Sequence, residues 1–155
     1  MKKILRYFVI ASAMFFANFA FADQQEVRRC FNSIPEEAQG ADYLLYFVRS
    51  NGAISDGTFI TMSKRKGASG MSKDLAKVLY KGRKENQSYI ICGPNSKKSL
   101  QVLADAFRYS IKKKRIFPKL DVTYIGSNVD TSEIESNAKE LQIKIVSYPL
   151  NEKDL

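Results

Sequence analysis

A chain of 155 residues with 45% apolar and 12% aromatic content can bury one core, which excludes general disorder. It has no His, no Trp and only two Cys. That removes the commonest general base, the commonest zinc ligand and any Ser-His triad, so neither a metal nor a cofactor is expected, and binding is favoured over turnover. The formal charge of +9 fits acidic proteins, anionic headgroups or polyanionic glycans as partners, with simple solubility as the competing reading.

Residues 1–22 carry the pattern of a cleavable export signal. Lys2, Lys3 and Arg6 form a positive start, residues 8–21 are apolar apart from Ser12 and Asn18, and Ala20-Phe21-Ala22 supplies a small-x-small cleavage site. The run is short for a membrane span, and polar Asp23-Gln24-Gln25 follows at once. Retention as an N-terminal anchor is the competing reading. With cleavage, the mature protein is residues 23–155, a single small α/β domain with no stable membrane span. Loss of the three leader cations takes its charge from +9 to +6. The style of the leader is bacterial, so the expected location is the periplasm or the exterior. Cys30 and Cys92 can oxidise there. The bridge would pin the N-terminal segment to the end of a central strand.

After a short helix or arm over residues 24–31, YLLYFV at 43–48 has the length and aromatic content of a buried strand. Ser50-Asn51-Gly52 signals a turn, and GTFITM at 57–62 reads as a returning strand, giving a hairpin-like pair. Residues 63–70 (SKRKGASG) read as a basic loop. Ser72 then caps a short amphipathic helix carrying Leu75, Val78 and Leu79 and ending at Gly82.

From residue 88 onward the pattern alternates. SYIIC is a strand. A helix follows with Leu100, Leu103, Phe107 and Ile111 on one stripe, closed by Lys112-Lys113-Lys114-Arg115, where cations complement the helix dipole. Residues 120–125 form a strand, Asp130 with Glu133 opens a second helix, and residues 143–148 alternate as an edge strand does. The fold class is therefore α/β: a two- or three-layer sheet of about five strands, with a C-terminal β-α-β-α-β parallel unit and the N-terminal pair.

Loops at the carboxyl ends of parallel strands are where ligands and partners bind in open α/β folds. These are residues 64–70, 93–98 and 126–131. Lys64, Arg65, Lys66, Asn95, Ser96, Lys97 and Lys98 form the candidate basic rim. Lys97 and Lys98 open a helix, where the dipole disfavours cations and an anion would relieve the conflict. Cys92 followed after five residues by a cation superficially resembles the phosphate loop of cysteine-dependent phosphatases. It departs in having Lys98 where that loop has Arg, and in lacking its glycine-rich pattern. The resulting expectation is an exported, non-enzymatic binding protein of accessory, inhibitor or immunity type, contacting an envelope protein in the periplasm. The alternative is a small anion- or ligand-binding domain using the strand-end loops. Nucleic acid fits poorly with export.

Overall fold

The computed structural model describes residues 21–36 and 42–151. The leader reading falls on residues 1–22, of which 1–20 lie outside the described residues.

Among the described residues, four strands form one parallel sheet and five helices are present. The strands are β1 (Tyr43–Phe47), β2 (Ser88–Cys92), β3 (Asp121–Ile125) and β4 (Lys144–Tyr148), in the order β1-β2-β3-β4. The helices are α1 (Phe21–Asn32), α2 (Ala53–Lys66), α3 (Gly70–Gly82), α4 (Ser96–Lys112) and α5 (Ser132–Leu141). The alternation is roughly Rossmann-like. The C-terminal β2-α4-β3-α5-β4 run is parallel throughout, and β4 lies at an edge. The expected hairpin-like pair does not form, because residues 57–62 are helical and β1 pairs in parallel with β2.

Period-two alternation divides the side chains of the sheet between two cores. Tyr46, Val48, Tyr89, Ile91, Val122 and Tyr124 face α3, α4 and α5, with Leu75, Leu79, Leu103, Phe107, Ile134 and Leu141 packed on them. An unreversed strand order with crossovers of one hand places the connecting helices on this one face. The opposite face, with Leu45, Phe47, Ile90, Cys92 and Ile125, is covered by Cys30 and Ile34 of the α1 region and by Leu150. The result is three layers, with β2 buried along its whole length.

Cys30 and Cys92 form a disulfide, 62 residues apart in sequence, that ties α1 to the end of this central strand. Next to it the chain has no room for a side chain. A Cβ on Gly93 would sit 2.1 Å from the Val48 carbonyl oxygen, where β1 and β2 end together.

Two boundaries differ from the sequence reading. Residues 63–66 continue α2 rather than forming a loop, and α3 begins at Gly70. Its cap is Ser69, whose side chain accepts the Ser72 N–H at 3.1 Å, so Ser72 is buried inside the helix.

Candidate functional site

The carboxyl ends of the strands are built around a buried ion pair. Lys98, on the first turn of α4, sends its Nζ to Asp56 Oδ1 at 2.8 Å and to the Arg49 carbonyl at 2.7 Å. Both side chains are almost fully excluded from solvent. Asp56 is further held by the Ser50 hydroxyl (2.6 Å), the Asn51 N–H (3.0 Å) and the Asn95 amide (3.2 Å). Burial alone pushes this carboxyl upward. The hydrogen bonds from Lys98, Ser50 and Asn51 outweigh burial and bring it down to about 2. The anion that a cation at a helix N-terminus calls for is thus supplied by the protein itself, from α2.

This corrects the expected rim. Lys98 is an interior residue, and Asn95 is a structural link that accepts the Lys98 N–H at 3.0 Å while donating to Asp56. Lys64, Arg65 and Lys66 lie on the last turn of α2, where cations complement the dipole, and are exposed. Lys97 also remains exposed. Ser96 and Ser127 stitch adjacent loops together. The Ser127 N–H donates to Ser96 Oγ (3.0 Å), Tyr124 Oη donates to the Ser96 carbonyl (2.7 Å), and the Leu150 N–H donates to Ser127 Oγ (2.9 Å). Burial pushes the Tyr124 phenol up to about 12.

The 93–98 and 126–131 loops therefore meet, and a cleft of about 430 Å³ opens over them. Among its walls are Arg29, Asn95, Ser96, Lys97, Ser127 and Asn128, and among the described residues that line it none is a carboxylate. Arg29 reaches it from α1. Its Nε donates to the Asn151 carbonyl at 2.5 Å and its Nη1 lies 3.5 Å from Glu26. Sequence reading missed Arg29, because only the disulfide and α1 packing carry it to this end. A second cleft of about 390 Å³, between α2, α4 and α5, is bordered by Lys64 and Lys97 and also by Asp130 and Glu133. Lys97 stands on the wall of both, and Lys64 joins it at the second only.

Beneath this second cleft Asp105 is buried. It accepts from Ser63, from Gln101 (3.0 Å) and from Arg108, which also pairs with Glu133 at 3.0 Å. These groups lock α2 and α5 onto α4. Among the described residues no group of three or more His, Cys, Asp or Glu could hold a metal ion, and no helix is long and apolar enough to cross a membrane. No protein-family model, curated protein or solved structure matches the chain.

Proposed function

We propose that the chain is an exported binding protein that works by contact with an envelope protein, and that the strand-end cleft seats an acidic group of that partner. The observation that carries this reading is the lining of the 430 Å³ cleft, which among the described residues holds Arg29, Lys97 and several neutral polar groups but no carboxylate. A carboxylate entering there meets two cations and the first turn of α4, whose dipole favours negative charge. Support for binding rather than turnover comes from how the buried ionisable groups are used. Asp56, Lys98 and Asp105 are all engaged in holding helices together.

Native-level co-purification tests the proposal. The parent chain is expected to recover a stoichiometric partner in a salt-sensitive manner, and Lys97→Glu to lose it while keeping the fold. Recovery of the protein alone under every condition, or retention of the partner by Lys97→Glu, overturns it. The alternative, a small anion held in the same cleft, is favoured by the placing of Arg29 and Lys97 on its walls. It predicts that inorganic phosphate shifts the backbone resonances of residues 95–97 and 127–128 in the parent and not in Lys97→Glu.

A further inference from the structure

The opposite end of the molecule carries a second charged surface that the cleft does not involve. Helices α3 and α4 both end there, at the amino ends of the strands. Residues 80–84 and 112–119 hold three and five Lys or Arg respectively and no Asp or Glu, and Glu85 and Asp121 lie only at the margins. The two segments meet in space. The Tyr80 ring packs edge-on against Phe117 with centroids 6.4 Å apart, and the guanidiniums of Arg83 and Arg115 lie 3.6 and 4.3 Å from the Tyr80 centroid. Arg115 and Lys113 also approach the Tyr109 ring, at 5.8 and 5.7 Å. Cation-π contact thus gathers like charges that would otherwise repel.

The backbone at this point is unusual. The end of α4 closes as a Schellman turn, with the Arg115 N–H donating to the Ser110 carbonyl (3.1 Å) and the Lys114 N–H to that of Ile111 (2.8 Å). The left-handed position of that turn, normally Gly, is Lys114 at φ 55°. The turn therefore keeps a cation at a conformational cost. Ile116 follows, with 55% of its surface exposed between Arg115 and the buried Phe117.

We propose that this face docks on an anionic lipid bilayer, with the lysines at the headgroups and Ile116 entering the acyl boundary. Bare cations fit any polyanion, so the choice rests on two features. The Tyr80 and Tyr109 rings are engaged by the protein's own guanidinium and ammonium groups, which disfavours base stacking. The exposed Ile116 gains nothing from a soluble polyanion, whereas a basic surface around an apolar tip is what an anionic interface binds.

Vesicle co-sedimentation of the full chain tests this. Binding is expected to vesicles rich in phosphatidylglycerol in preference to phosphatidylcholine alone, and to fall steeply with salt. Relative to the parent, Lys113→Ala with Lys114→Ala should bind about 30-fold more weakly, at roughly one headgroup contact per lysine. Ile116→Ser should bind about tenfold more weakly, because its apolar contact is lost. Lys114→Gly is the control for folding: it should raise thermal stability, since Gly adopts the left-handed conformation freely, and yet weaken vesicle binding about fivefold. Equal binding by parent and lysine variants overturns the proposal. So does unchanged binding by Ile116→Ser, or an oligonucleotide or polyphosphate that binds as well as vesicles and is indifferent to Ile116.

Discussion

At the scale of single residues, the ion pair between Asp56 and Lys98 has the largest consequences. Two buried charges stabilise a fold weakly as a pair, but removing one strands the other. Lys98→Met is expected to cost about 3–5 kcal/mol in urea unfolding, and Asp56→Asn a similar amount. The double variant should lose clearly less than the sum of the two, and additive losses would show that the groups are not coupled. The pH dependence follows from the depressed carboxyl. Asp56 ionises at about 2 in the folded chain against an ordinary 3.8, so its contribution is complete above about pH 4 and is lost as pH falls toward 2. Acid unfolding followed by circular dichroism should show that component in the parent and lack it in Asp56→Asn. The conflict at Lys98 was legible in sequence, since a lysine on a first helical turn is out of place. Its resolution was not, because Asp56 is 42 residues away and reaches it only through the packing of α2 on α4.

At the scale of elements, α2 shows how a helix can conceal its period. Its inward positions are Asp56, Phe59, Ile60 and Ser63, a helical spacing occupied at both ends by polar residues. Ile54, meanwhile, is 89% exposed. A search for apolar repeats therefore finds none, and GTFITM, rich in β-branched residues, reads as a strand. Thr58 and Thr61 are accommodated by donating to the Ile54 and Gly57 carbonyls, both at 3.0 Å. What holds the helix is tertiary: the Asp56 cluster at one end and the Ser63–Asp105 contact toward the other. A peptide of residues 52–67 should accordingly show little helix in water by circular dichroism, and a strongly helical spectrum would contradict this account. By contrast α4, with a continuous apolar stripe through Leu103 and Phe107, and α5, through Ile134, Ala138 and Leu141, were readable from spacing alone.

At the scale of the whole molecule, the parallel β2-α4-β3-α5-β4 unit was evident from alternation. The N-terminal half was not, because β1 finds its neighbour only after two intervening helices. The molecule has two chemically distinct ends, a polar cleft where the strands finish and a cationic face where α3 and α4 finish. Docking of the second on a bilayer would turn the first away from it. The disulfide joins α1, on the far side of the sheet, to this frame. Reduction is expected to lower unfolding free energy by about 4 kcal/mol, as closing a loop of this length implies. Equal urea midpoints with and without reductant would show that α1 docks unaided.

The same bridge imposes an order on biosynthesis. Cys30 is made 62 residues before Cys92, an interval of several seconds at ordinary elongation rates of about 5–20 residues per second. Throughout that interval the thiol has no partner within its own chain, and β1 has no strand to pair with. Any chain that meets an oxidant before residue 92 has reached it, or that is truncated ahead of that residue, therefore holds a lone thiol open to crosslinking with its neighbours.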